Sequence, residues 1–257
     1  MNPSSHPTER FGSRVDDYRR WRPGYPPGLI AWLLEHCGLV KGEAVADVGS
    51  GTGLFSRELL AAGLQVLAVE PNGPMRAAAE AEFQGNASFI SVNGTAEATG
   101  LASASVALVC AAQAFHWFDL PAARREFARI LKPRGAVALI WNLRRDDSRF
   151  LAGYEALLRE HAPEYSRSGK PAQADEHGIA AFFAPAGFEQ ASFAYEQQFE
   201  REGLRGRLLS SSYAPAPGMP GHQAMMASLD RLFDEHQREG RVAFGYVTRV
   251  FLGCLQS

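Results

Sequence analysis

Cysteine and lysine are both scarce in this chain. Its three cysteines, Cys37, Cys110 and Cys254, are far apart, odd in number and lack a C-x-x-C pair, which excludes a disulfide framework and a thiolate zinc site. Only Lys41, Lys132 and Lys170 are lysines, so arginine carries nearly all the positive charge. No block of five or six like charges occurs and the net charge is −2, which argues against a nucleic-acid partner. Long apolar runs are missing too. The uncharged stretch that comes nearest to a membrane span, Ala98–Phe118, is broken by Thr99, Gly100, Ser103, Ser105, Gln113 and His116. What remains continuous is Val106–Ala112, the length of a strand and not of a membrane span. The opening Met1–Phe11 contains Pro3, Pro7, Glu9 and Arg10 and lacks the apolar centre of a signal peptide. These absences lead us to expect a cytoplasmic protein with no membrane partner.

The 257 residues suffice for one elaborated domain with a large core. Helical spacing over Leu29–Cys37 stops at Gly38, and Ala44–Val48 reads as a buried strand closed by glycines. Leu54–Ala62 is helical, Gln65–Val69 is a strand, and a helix follows over 74–83 with Pro74 in its first turn. Ser88–Val92 and Val106–Ala112 are the third and fourth strands. The helix Leu120–Leu131 is stopped by Lys132-Pro133-Arg134-Gly135 before a fifth strand, Ala136–Trp141. Strands alternating with helices of this length predict an α/β fold, a doubly wound, seven-stranded and mostly parallel sheet.

Beyond Asn142 the rhythm changes. Asp147–His161, Glu176–Ala184, Arg201–Ser211 and Gln223–Glu239 read as helices, Ser166–Asp175 as loop, and Phe188–Gln197 and Val242–Leu252 as strands. The whole chain, 1–257, is expected to be a single domain. Residues 10–142 are expected to form its core, with the stretches 143–187 and 200–240 as helical insertions over one edge.

The informative stretch is Val45-Ala46-Asp47-Val48-Gly49-Ser50-Gly51-Thr52-Gly53-Leu54. A strand delivers an acidic residue, then three glycines at alternate positions, then a helix. Glycine there lets the backbone turn tightly and approach a ligand. The second strand ends in Glu70, placed to accept both hydroxyls of a ribose. A dinucleotide site requires G-x-G-x-x-G, but the last position is Leu54 counted from Gly49 and Ser56 counted from Gly51. The pattern therefore suits a nucleoside without a pyrophosphate. A nicotinamide-nucleotide oxidoreductase on a similar sheet and a non-catalytic domain that keeps the cofactor site stand as alternatives.

Four stretches carry a likeness: Tyr18–Pro26 (Y-R-R-W-R-P-G-Y-P), Val45–Gly53, Gly94-Thr95-Ala96-Glu97 and Ala112–Phe118 (A-Q-A-F-H-W-F). With Glu126–Gly135 they make residues 10–142 resemble the class I S-adenosylmethionine-dependent methyltransferases. The likeness is to the type 11, small-molecule branch that includes trans-aconitate and ubiquinone-pathway methyltransferases. The resemblance implies S-adenosylmethionine as cofactor, S-adenosylhomocysteine as product, and no metal. It implies that Asp47 orients the loop of Gly49, Ser50, Gly51, Thr52 and Gly53 beneath the methionine portion and that Glu70 holds the ribose. Pro71, Asn72 and Met75 would line the adenine, Thr95, Ala96 and Glu97 would meet its edge, and Ala112 and Gln113 would lie beside the amino-acid end. Tyr18 and Arg22 would come from a leading segment that folds over the site.

Methyl transfer from a sulfonium disperses positive charge, so it calls for alignment, exclusion of water and, for some acceptors, a base. His116 reads either as that base or as part of a packed Phe115–Phe118 corner. Tyr213 is a second candidate for polar catalysis, and Tyr25, Trp117 and Trp141 are candidates for the acceptor pocket. The partner is expected to be a small molecule, and the protein a monomer or homodimer. No Asn-Pro-Pro-Tyr-type motif follows the fourth strand, which argues against a nucleobase or glutamine acceptor.

Overall fold

The computed structural model describes residues 20–163, 165, 176–211 and 213–255. Their contacts divide into two compact units. The first holds the described residues of 24–142, 174–193 and 248–257, the second those of 1–23, 143–173 and 194–247.

In chain order the elements are α1 (Pro27–Cys37), β1 (Ala44–Val48), α2 (Leu54–Ala61), β2 (Gln65–Val69), α3 (Gly73–Glu82), β3 (Phe89–Val92) and β4 (Val106–Ala112). A 3-10 turn, Phe115–Trp117, precedes α4 (Leu120–Ile130) and β5 (Leu131–Arg144). The remainder comprises α5 (Arg149–His161), α6 (Glu176–Phe183), β6 (Glu189–Phe199), α7 (Arg201–Leu209), α8 (His222–His236) and β7 (Val242–Gly253). The seven strands run in the order β3-β2-β1-β4-β5-β7-β6. β1 pairs in parallel with β2 and β4, β2 with β3, and β4 with β5. The mostly parallel, doubly wound sheet is thus present, and the order reverses between β1 and β4.

Local chemistry explains the ends. Helix α1 starts on Pro26-Pro27 and stops at Gly38, whose φ of 62° closes the C-cap. The Asn72 side chain accepts the Met75 N–H at the start of α3, and Asp119 accepts that of Ala122 at the start of α4. β1 and β4 are apolar because both of their faces are covered: Val45, Ala46, Val48, Leu108 and Val109 are wholly buried.

β5 corrects the sequence reading. It begins at Leu131, before the Lys132–Gly135 stop, and reaches Arg144. Arg134 takes a φ of 68°, and the pairing with β4 jumps from Val106↔Leu131 to Leu108↔Ala136. The proline-glycine segment is therefore an irregularity inside a strand and not a gap before it.

The second unit packs Phe150, Tyr154 and Leu158 of α5 with Leu204 and Leu208 of α7, Met225, Leu229 and Phe233 of α8, and Phe244 of β7. A Cβ at Gly206 would meet the Trp21 indole at 2.1 Å, so this glycine in α7 makes room for the indole. Residues 176–193, by contrast, group with the first unit, where Arg124 of α4 donates to the Phe182 and Ala184 carbonyls (2.9 and 3.0 Å). The expected loop Ser166–Asp175 lies outside the described residues. Among the described residues no helix is long and apolar enough to cross a membrane.

Candidate cofactor-binding site

Parallel pairing brings the ends of β1, β2 and β4 together at the reversal of strand order, the place where open α/β sheets bind ligands. Opposite Asp47 stand Ala68 of β2 and Cys110 of β4, so Gly49–Gly53, Glu70 and Ala112-Gln113 all leave the same edge. The glycine loop is tight: Gly49, Gly51 and Gly53 have φ of 71°, 57° and 82°. A Cβ at Gly49 would sit 2.5 Å from the Ala114 Cβ, and one at Gly53 2.6 Å from the Phe83 ring. At Gly51 the nearest atom is the Met75 Sδ at 3.8 Å, so that glycine faces open space and not a packed neighbour.

The loop has already spent most of its donors. The N–H groups of Gly49 and Ser50 go to the Val69 carbonyl (2.8 and 3.2 Å), and that of Gly53 goes to the Ser50 carbonyl at 2.9 Å. Gly51 N–H donates to Glu70 Oε2 and Asn72 N–H to Glu70 Oε1, both at 2.8 Å. Each Glu70 oxygen keeps one lone pair for a hydroxyl donor. Burial pushes the Glu70 carboxyl up, against those two N–H groups and the Arg76 guanidinium. Arg76 in turn donates to the Glu70 carbonyl (2.9 Å) and to Asn93 Oδ1 (3.1 Å), fixing the turn after β2.

Asp47 is wholly buried. Ser56 Oγ donates to its Oδ2 at 2.6 Å, while Oδ1 and the buried Thr52 Oγ1 have no partner among the described residues. Burial pushes the Asp47 carboxyl up to about 7, opposed by Ser56 and assisted by Glu70. The stability consequence has a definite sign. From the ordinary 3.8 to about 7, the folded chain holds a proton that the unfolded chain releases, so stability falls as pH rises through that window. Urea denaturation across pH 4–7 should show this loss, and Asp47→Asn, neutral throughout, should flatten it. Parallel profiles for the two proteins would contradict the assignment.

The rest of the predicted set is placed as follows. Gln113 directly follows β4 with a φ of 63°, a left-handed conformation that a residue with a Cβ adopts at a cost of about 1–2 kcal/mol. It is held there by its N–H on the Ile140 carbonyl (2.9 Å) and its Nε2 on the Asn142 carbonyl (3.1 Å). Asn72 serves as the α3 cap, Met75 is buried and Pro71 is exposed. In the 94–101 loop, Thr95 and Ala98 exchange backbone hydrogen bonds and Ala96 is buried. Glu97 accepts the Asp119 N–H at 2.9 Å. Thr99 donates both N–H and Oγ1 to Glu126 (2.9 and 2.5 Å), which tethers this loop to α4.

His116 lies in the 3-10 turn with its ring 4.7 Å from that of Trp117, which is 52% exposed. The residue is exposed, and partial desolvation by the surrounding protein holds its pKa below the ordinary histidine value. Tyr25 is buried edge-on against Phe55 (4.8 Å), and Trp141 lies between Phe115 and Phe251 (5.8 Å each). Arg22 and Tyr213 belong to the second unit, where Arg22 Nη2 donates to the Ser210 carbonyl at 3.1 Å and Tyr213 stacks obliquely on Tyr165 at 4.9 Å. Tyr18 lies outside the described residues.

Sequence reasoning missed Ser56 as the Asp47 donor and Asn142 as a junction. Asn142 Nδ2 donates to the Gly24 carbonyl (2.9 Å), its Oδ1 accepts from Thr248 Oγ1 (2.5 Å), and its carbonyl accepts from Gln113. An amide just past an apolar strand was the available signal.

A family model described as a methyltransferase domain matches residues 46–139, the stretch that holds the glycine loop, Glu70 and the end of β4. Over this stretch the chain is similar to methyltransferase domains. The chain is 41% identical over 134 residues to an uncharacterized methyltransferase of Mycobacterium tuberculosis, 52% of each chain. It thus spans about half the length of that relative. An uncharacterized methyltransferase of Schizosaccharomyces pombe is 29% identical over 226 residues, 86% of each chain. In fold it is similar to a type II methyltransferase candidate from Anaeromyxobacter dehalogenans, with TM-score 0.69, 24% identity, and 91% and 98% of the two chains covered. It is also similar in fold to the phosphoethanolamine N-methyltransferase 2 of Haemonchus contortus solved with S-adenosyl-L-methionine. That likeness has TM-score 0.56, 16% identity, and covers 100% of this chain and 62% of the other.

Proposed function

We propose that this protein transfers a methyl group from S-adenosylmethionine to a small-molecule acceptor, without a metal, in the cytoplasm, as a monomer or homodimer. One observation carries the reading: the charge and donor balance of the glycine loop. Two buried carboxyls, Asp47 and Glu70, line it, and its N–H groups at Gly49, Ser50, Gly51 and Gly53 already have acceptors. A pyrophosphate needs free donors and positive surroundings, whereas a nucleoside with a sulfonium and an ammonium suits these acceptors. Ser56, where a dinucleotide site needs its third glycine, is committed to Asp47.

The cofactor supplies the sulfonium methyl for an in-line displacement. Glu70 takes the ribose hydroxyls on its two remaining lone pairs, and Asp47 Oδ1 and Thr52 Oγ1 gain partners at the methionine portion. Pro71, Asn72 and Met75 form the adenine side, the Thr95–Glu97 backbone its edge, and Ala112 and Gln113 flank the amino-acid end. Tyr18 and Arg22 belong to the leading segment. Tyr25, Trp117 and Trp141 are assigned to the acceptor, together with the segments 143–187 and 200–240. Its lowered pKa leaves His116 neutral near pH 7, so it can accept a proton from a hydroxyl or amine acceptor. Tyr213 is the second proton-handling candidate.

The test supplies methyl-labelled S-adenosylmethionine with a metabolite extract and follows label into small molecules by mass, beside calorimetry with S-adenosylhomocysteine and with NADH. Labelled product, homocysteine-nucleoside binding and no NADH binding are expected. His116→Ala should leave that binding intact and slow transfer by about 10²–10⁴-fold. Tight NADH binding with no label transfer would reject the reading.

A further inference from the structure

Among its described residues, the second unit contains a buried positive charge without an ion-pair partner. Arg207 of α7 is 6% exposed. Its Nε donates to the Tyr246 hydroxyl (2.9 Å) and its Nη1 to Ser211 Oγ (3.3 Å), both uncharged acceptors. Its strongest electrostatic neighbours are the phenols of Tyr246, Tyr154 and Tyr213, and among the described residues it forms no ion pair. A guanidinium has five N–H donors, so this fork is under-used. The second cation of the cluster, Arg144, is satisfied: it pairs with Glu155 and donates to the Tyr165 hydroxyl at 3.1 Å. Glu155 is spent, because it also accepts from Arg159 (3.0 Å) and from Tyr165 (2.5 Å).

An independent observation points to the same place. The Tyr154 hydroxyl is buried and has no hydrogen-bond partner among the described residues, and its phenol lies within electrostatic reach of both Arg207 and Arg144. Burial pushes that phenol up, so it stays protonated, a buried donor without an acceptor. The Phe244 ring lies 5.5 Å from the Arg207 guanidinium carbon and supplies an apolar wall. Buried charges and hydroxyls are costly unless something answers them.

We propose that this cluster binds the carboxylate of a small organic acid, with the Arg207 fork and the Tyr154 O–H as its donors. A carboxylate fits better than a dianionic phosphate, since one uncompensated cation balances a single negative charge, and the planar fork matches a carboxylate's two oxygens. The proposal does not rest on methyl transfer.

The test uses the full-length chain with benzoate and with benzamide, its uncharged isostere, as probes, read by thermal shift and calorimetry. Benzoate should raise the melting temperature saturably and benzamide should not. Arg207→Met should remove the benzoate response while melting at or above the wild-type temperature, because it deletes an uncompensated buried charge. Tyr154→Phe, which keeps the ring, should fold and weaken benzoate about fivefold. Equal effects of the two probes, no benzoate effect, or a full benzoate response in either variant would overturn the proposal. Should Arg207→Met fail to fold, the probe contrast and Tyr154→Phe still decide.

Discussion

Glu70→Ala should lower the affinity for S-adenosylhomocysteine by about a hundredfold or more, since hydrogen bonds to a charged acceptor contribute roughly 1.5–3 kcal/mol each and two ribose hydroxyls lose theirs. The same change strands the N–H groups of Gly51 and Asn72, which both donate to this carboxylate. An unsatisfied buried donor costs about 1–3 kcal/mol, so the apo protein should melt lower as well. Calorimetry on a variant shown to be folded separates the two effects. Affinity within twofold of wild type would remove Glu70 from the cofactor site.

The glycine loop offers a sharper contrast, because its members face different surroundings. In Gly49→Ala the new Cβ would sit 2.5 Å from the Ala114 Cβ at a φ of 71°. The neighbour is fixed to a backbone and cannot swing away, so the left-handed penalty of about 1–2 kcal/mol adds to about 1–3 kcal/mol of overpacking. The melting temperature should drop by roughly 5–15 °C. In Gly51→Ala the nearest atom is the Met75 Sδ at 3.8 Å, and only the φ of 57° opposes the change. That variant should stay folded, lose only a few degrees, and bind S-adenosylhomocysteine at least tenfold more weakly because its methyl group occupies the hollow. Thermal melts and calorimetry on both proteins check the pair. Wild-type binding by Gly51→Ala would mean that the loop cradles nothing.

The elements were largely readable in advance because their signals are local. Ala44–Val48, Gln65–Val69 and Val106–Ala112 have the boundaries their apolar runs gave, and α1 stops at Gly38 as expected. β5 was misjudged because proline and glycine mark a local break, whereas pairing with β4 spans it from both sides. The glycine loop stood out because tight turning leaves a mark on residue type. Asn142 left only an amide at the end of an apolar run, since its partners Gly24, Gln113 and Thr248 are scattered through the chain. Arg207 carried a faint signal. It follows Leu204 by three residues and precedes Leu208, which sets it on the apolar face of α7.

From the order of its residues alone, the chain determined its alternation of strand and helix, the position of the bend after β1, and the acid at the end of β2. Each depends on neighbours within a few positions. Packing across the fold decided that Asp47 holds its proton up to about 7, that the loop's amides are consumed by Val69 and Glu70, and that Arg207 is buried with no counter-charge among the described residues. Protonation and hydrogen-bond balance depend on burial and on partners distant in sequence, and those exist only once the sheet and helices have closed around them.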